Sequence, residues 1–115
     1  EGFAVMKASD YGLDLSRVAD VYNHGSVIES KLIGWLKNAL EEYGEDMKGI
    51  TGSVSHTGEG KWTVDSAKEL NVEAAIIEES LAFRVRSEKH PSYIGKLLSA
   101  LRGQFGGHSV TNKKK

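Results

Sequence analysis

The sequence predicts a compact all-α domain built from several helices. Apolar residues recur at helical spacing, most clearly at Ile94, Leu97, Leu98, Leu101 and Phe105. No stretch alternates apolar and polar residues for long enough to indicate a strand. At 115 residues, the chain is long enough for one domain with a real core, but not for two.

Capping and breaking residues delimit the expected helices. Asp14 and Ser92 can each accept hydrogen bonds from the first amides of a helix, and Pro91 ends the helix that precedes Ser92. The first nine residues are predicted as helix without an N-cap residue or an initiator methionine, so we expect a domain excised from a longer chain. The expected helices cover 1–9, 15–23, 26–43, 63–70 (or from 65), 74–89 and 92–106.

Two segments stand out in this arrangement. The helix over 26–43 carries apolar residues around more of its circumference than a surface helix needs, so we expect it to contact a partner subunit as well as the core. The connection over 44–61 is rich in glycine. Structureless loops of this length are uncommon in compact domains and are often functional.

Composition excludes several classes of protein. The formal net charge is −1, which gives no indication of nucleic acid or of an acidic membrane surface as partner. There are no cysteines, so a disulfide scaffold and a thiolate metal site are excluded. No apolar run approaches the roughly 18 residues of a membrane span. We therefore expect a cytoplasmic protein.

The strongest functional motif lies near the C-terminus and reads Arg102-Gly-Gln-Phe-Gly-Gly-His108. Gly106 and Gly107 should end the last helix, because glycine readily takes the left-handed conformation found at helix ends. The helix therefore carries a guanidinium and the following turn carries an imidazole. This arrangement suits a polar or anionic ligand.

Each candidate residue also has a structural interpretation. Arg84 can pair with Glu88 one turn further along its helix. Arg102 can simply favour the dipole at the end of its helix. His108 alone is more often incidental than functional. The four histidines show no metal-ligand spacing, and no Ser–His–Asp arrangement can be recognised from their order.

A glycine-rich segment over 57–63 ends in Lys61 and resembles a phosphate loop only in part. Ser55 stands where the first glycine of the Walker pattern belongs, and Trp62 follows Lys61 in place of serine or threonine. The simpler interpretation is a turn that Trp62 anchors to the core.

Five motifs in order resemble the C-terminal domain of the decarboxylating 6-phosphogluconate dehydrogenases, in the shorter branch of that family. The resemblance covers nearly the whole chain, and the motif at 102–108 is the most specific. The motifs are Glu1-Gly-Phe-Ala-Val-Met-Lys-Ala-Ser9, Tyr22-Asn-His-Gly25, Gly58-Glu-Gly-Lys-Trp-Thr63, Ala82-Phe-Arg84 and Arg102-Gly-Gln-Phe-Gly-Gly-His108.

The resemblance implies a helical domain over 1–108 for substrate binding and dimerisation, followed by a disordered basic tail over 109–115. Arg84 and Arg102 would bind the substrate phosphate and His108 the sugar acid, with the last two reaching into the neighbouring subunit's site. The resemblance leaves open whether Thr57, Glu59 or Lys61 contacts the phosphate.

The resemblance also implies an enzyme of the pentose phosphate pathway that oxidises and decarboxylates 6-phosphogluconate to ribulose 5-phosphate with NAD or NADP. The cofactor would bind to a preceding Rossmann domain, and the lysine base and glutamate acid would lie upstream of Glu1. This chain would then hold no catalytic, cofactor-binding or metal-binding residues and be inactive alone. Two alternatives remain: a non-catalytic helical dimerisation module, and a related β-hydroxyacid dehydrogenase domain with another sugar-acid substrate.

Overall fold

The computed structural model of the chain describes residues 1–107. His108 and the predicted tail at 109–115 lie outside the described residues. Within 1–107 there are six helices and no strand, which confirms the all-α prediction. The helices are α1 (Gly2–Ala8), α2 (Leu15–Tyr22), α3 (Lys31–Tyr43), α4 (Glu59–Glu69), α5 (Ala75–Ser87) and α6 (Tyr93–Gly106).

The core lies between α2, α3 and α6. Helix α3 packs against both of the others, and the turn between α3 and α4 closes the core with Met47 and Ile50. Burial of these apolar side chains is the main stabilising contribution to the fold. The buried core residues are Leu15, Ala19, Leu36, Ala39, Leu40, Met47, Ile50, Leu97 and Ala100.

Helices α4 and α5 pack against each other, outside this core. The only residue of α5 that is buried is Ser87. The radius of gyration is 15.4 Å, whereas a globular chain of this size is expected to have about 13 Å. The described part of the chain is therefore open, with α5 exposed along much of its length.

Side-chain caps fix the start of three helices. Asp14 accepts a hydrogen bond from the amide of Arg17, and Ser92 accepts one from the amide of Gly95, as the sequence predicts. The third helix begins at Lys31 and not at residue 26, because Ser30 is the residue that caps it. The hydroxyl of Ser26 instead donates to the carbonyl of Tyr22 at the end of α2.

The predicted start of the fourth helix was also wrong. It begins at Glu59, not at 63 or 65, after Gly58 adopts a φ of 112°. A positive φ of this size favours glycine, since residues with a side chain rarely adopt it. No side chain caps this helix end, so the sequence carries no cap residue from which the start could be inferred.

Candidate functional site

The candidate site is built on the segment 51–58, which lies between α5 and α6 and leads into α4. At its start the backbone of Gly52 passes directly over Gly95 of α6. A Cβ atom on Gly95 would lie 1.9 Å from the carbonyl oxygen of Gly52. The two glycines therefore allow the segment to approach α6 more closely than any side chain would permit.

Helix α6 holds two carbonyl groups of this segment. The hydroxyl of Ser99 donates to the carbonyl of Ser53 at 3.0 Å. One turn further along α6, the guanidinium of Arg102 donates to the carbonyl of Ser55. Carbonyls two residues apart in an extended chain point the same way, so one helix face can bind both.

Helix α5 holds the segment from the other side through a single serine. The hydroxyl of Ser87 accepts a hydrogen bond from the amide of Val54 at 2.8 Å and donates to the carbonyl of Arg84 at 2.7 Å. Ser87 is 2% exposed and Val54 is 1% exposed. A buried polar pair of this kind is stable only while both partners are satisfied.

Arg84 and Arg102 differ from the other two arginines of the chain. Arg17 forms an ion pair with Asp14, and Arg86 forms one with Glu79. Within residues 1–107, neither Arg84 nor Arg102 forms a salt bridge, so the predicted pair between Arg84 and Glu88 is not formed. Both are partly buried. Two half-buried guanidinium groups without a carboxylate partner are suited to bind an anion.

The two guanidinium groups lie close enough to influence each other's charge. Partial burial, followed by the positive charge of Arg84, lowers the pKa of Arg102. The nearby carboxylate of Glu59 acts in the opposite direction. A site that brings like charges together favours an anionic ligand that neutralises both.

Glu59 lies at the start of α4 and forms no salt bridge with either arginine within residues 1–107, but its charge interacts with both. The hydroxyl of Thr57 donates to its carboxylate and is the largest cause of the lowered pKa of Glu59, to which Arg102 and Arg84 also contribute. Glu59 is thus ionised and held by its neighbour, and it partly balances the two positive charges.

In the glycine-rich segment, Trp62 differs from the sequence-based interpretation, whereas the role of Lys61 was left open. Trp62 is 66% exposed, so the expectation that it anchors the loop to the core was wrong; its ring lies instead beside Gly58. Lys61 forms an ion pair with Asp65 on the outside of α4. The exposure of Trp62 follows from the earlier start of α4, which places the tryptophan on an outward helix face.

The structure thus brings together Arg84 and Arg102 within one chain. Arg102 contacts Ser55 of its own chain, and its predicted reach into a neighbouring subunit remains a prediction. His108 lies outside the described residues. Sequence reasoning missed Ser87 and Ser99, which position the segment between the arginines; the only available signal was a small polar residue on each buried helix face.

A groove of about 560 Å³ opens beside Arg84, between α5 and α6. Its walls are mostly apolar and include Ile76, Phe83, Ile94 and Leu98. Charged side chains, among them Glu79, Arg84 and Arg86, also line it.

Two further properties of residues 1–107 bear on the class of protein. None of the helices there has the length and hydropathy required to cross a bilayer. The same residues contain no group of three histidine, cysteine or acidic side chains arranged to hold a metal ion.

Residues 1–107 thus form an all-helical domain in which Arg84 and Arg102 have no salt-bridge partner. No family model matches the chain. It is 42% identical to a Bacillus subtilis protein provisionally named a 6-phosphogluconate dehydrogenase, and 36% identical to the NAD(+)-dependent, decarboxylating 6-phosphogluconate dehydrogenase of Haloferax volcanii.

Both similarities extend over 98% of this chain but only 38% of each relative. The chain is thus homologous to a part of the 6-phosphogluconate dehydrogenases, which confirms the resemblance recognised from its motifs.

Proposed function

We propose that this chain is the substrate-binding and dimerisation domain of an NAD(P)-dependent, decarboxylating 6-phosphogluconate dehydrogenase. The observation that carries the proposal is the pair Arg84 and Arg102, which lie together without salt-bridge partners within residues 1–107. In this role the pair binds the phosphate of the substrate, and His108 binds its sugar-acid portion.

The chemistry of a phosphate monoester fits this pair. A phosphate dianion offers three oxygens, and a guanidinium presents its donors in a planar fork that matches two of them. Within residues 1–107, the contacts between Arg102 and Ser55 involve only Nη1, so other donors of the guanidinium remain for a ligand. Glu59 balances part of the charge before the ligand binds.

The cofactor belongs to another part of the longer enzyme. The described residues contain no strand, and therefore no strand–glycine loop–helix unit of the kind that binds a dinucleotide. A nicotinamide cofactor would supply the hydride acceptor. The relative from Haloferax volcanii is named NAD(+)-dependent, which supports a nicotinamide cofactor here.

Glu59 favours a second candidate function, because a carboxylate beside the arginines weakens the attraction for a phosphate. A related dehydrogenase with a different sugar acid would have less need for a doubly charged phosphate. Two arginines that have no salt-bridge partner in the described part of the chain are more than one substrate carboxylate requires. The phosphorylated substrate is therefore the better match.

The test uses the full-length protein that contains this chain. Its kcat/KM should be at least about a hundredfold higher for 6-phosphogluconate than for gluconate, because two charged hydrogen bonds to phosphate contribute about 1.5–3 kcal/mol each. Equal efficiency on the two acids would overturn the phosphate assignment and support the related sugar-acid enzyme. No oxidation of either acid would support a non-catalytic dimerisation module.

A further inference from the structure

We infer that Ser87 is a positioning residue for phosphate binding, because it joins the backbone of the segment 51–58 to the turn of α5 that carries Arg84. This inference rests on the proposed function and adds a residue that contacts no ligand itself. Ser87 acts through Arg84 on one side and through the segment that receives Arg102 on the other.

The first step of the argument is the burial of Ser87. Ser87 is 2% exposed, and its hydroxyl makes two hydrogen bonds, one as acceptor and one as donor. A serine has one hydroxyl proton, so donation to Arg84 leaves the lone pairs free to accept from the amide of Val54. Both bonds therefore exist together and form a continuous chain between two backbones.

The second step is the position of the partners. Val54 lies between Ser53 and Ser55, whose carbonyls are bound by Ser99 and by Arg102 respectively. Helix α5 thus binds the amide of Val54, and α6 binds the carbonyls of the residues on either side of it. The segment therefore links the turn of α5 that carries Arg84, through Ser87, to the side chain of Arg102.

The third step concerns rigidity. Helix α5 packs mainly against α4 and has only Ser87 buried, so few other contacts fix the depth of Arg84. Without the Ser87 hydroxyl, the amide of Val54 loses its partner in a buried position, and the segment or α5 must shift to satisfy it. A shift of α5 moves Arg84 relative to Arg102. It therefore weakens the binding of a ligand that needs both arginines.

The experiment compares Ser87→Ala with Ser80→Ala in the full-length enzyme. Ser80 is the matched control, since it lies two turns earlier on α5 and its hydroxyl bonds only to the carbonyl of Ile76 in the same helix. Ser87→Ala should raise KM for 6-phosphogluconate about tenfold, the effect of one lost buried hydrogen bond. Both kcat and KM for the nicotinamide cofactor should stay within about twofold, and Ser80→Ala should resemble the wild type.

Ser87→Thr retains the hydroxyl and should restore KM toward the wild-type value. A Ser87→Ala enzyme with unchanged KM, or with lower kcat alone, would overturn the inference. If Ser87→Ala does not fold, Ser99→Ala replaces it, because it frees the neighbouring carbonyl of Ser53 from α6. A rise in its KM for 6-phosphogluconate of about threefold or more supports the inference, and an unchanged KM overturns it.

Failure of the proposed function is recognised separately, by a wild-type enzyme that does not oxidise 6-phosphogluconate. In that case inorganic phosphate is the probe, and its binding is followed through the arginine side-chain NMR signals of wild type and Ser87→Ala. Weaker phosphate binding in Ser87→Ala supports the positioning role. Equal binding, or no binding to either protein, overturns it.

Discussion

At the scale of single residues, the proposed function depends on Arg84 and Arg102. Arg102→Ala in the full-length enzyme should raise KM for 6-phosphogluconate about ten- to a hundredfold, because a charged hydrogen bond to phosphate is lost. Arg86→Ala is the matched control, since Arg86 is paired with Glu79 and exposed. Steady-state kinetics that give the same KM for Arg102→Ala and wild type would count against the assignment.

Glu59 provides a second residue-scale prediction, with the opposite sign. Glu59→Gln removes a negative charge beside both arginines and should lower KM for 6-phosphogluconate about two- to fivefold, a modest gain because the carboxylate is exposed to solvent. Glu69→Gln, at the other end of α4, is the matched control. A higher KM for Glu59→Gln would show that the carboxylate supports the substrate directly.

At the scale of elements, the fold depends on the contact between Gly52 and Gly95. Gly95→Ala places a Cβ atom 1.9 Å from a backbone oxygen and should destabilise the domain by about 1–3 kcal/mol or more. Gly60→Ala, in a helix with nothing within 4 Å of the added carbon, should be neutral or stabilise by up to about 1 kcal/mol. Urea unfolding distinguishes them, and equal stability would contradict the close packing.

Helix α2 provides a pH-dependent prediction. The amide of Arg17 and the hydroxyl of Ser16 bind the carboxylate of Asp14 and lower its pKa below the ordinary value of 3.8. The unfolded chain then binds a proton more readily, so this stabilisation is present above the unfolded pKa and is lost as pH falls through the lower folded pKa.

Asp14→Asn should therefore reduce the loss of unfolding free energy on acidification, because asparagine still caps the helix but does not titrate. Urea unfolding at about pH 5 and about pH 2 measures the difference. If Asp14→Asn and the wild type lose the same free energy of unfolding between these pH values, the capping carboxylate does not contribute to the pH dependence of stability.

Sequence reasoning placed the starts of α2 and α6 from their capping residues, and it misplaced the starts of α3 and α4 for identifiable reasons. Asp14 and Ser92 begin helices where expected. Ser26 and Ser30 are both plausible caps, and only the structure shows that Ser26 serves the end of α2. The start of α4 depends on the backbone of Gly58, which leaves no side-chain signal.

The candidate site was predictable in part. Motif resemblance identified Arg84 and Arg102, whose role in binding stays a prediction; the structure shows that their charges influence each other. Ser87 and Ser99 could not be predicted, because a buried serine on a helix resembles any small core residue until its partner on another element is known. The local pattern of a helix does not specify which carbonyl or amide from a distant segment it will meet.

At the scale of the whole molecule, the exposed apolar surface predicts self-association. The radius of gyration exceeds that of a compact chain, and Val27, Ile76 and Leu32 are exposed. Light scattering at about tens of micromolar should therefore give at least a dimer. Leu32→Ser, on the exposed side of α3, should weaken this self-association. Val21→Ser, on α2, should leave it unchanged. A stable monomer would exclude the proposed role of α3.

The most direct test of the central claim is a double-mutant cycle on the two arginines, measured by calorimetric titration of 6-phosphogluconate into the full-length protein. If Arg84 and Arg102 bind one phosphate together, each single alanine variant loses most of the affinity and the double variant loses little more. Losses that are independent and simply additive, or an affinity that neither change alters, would contradict the account of a single shared anion site.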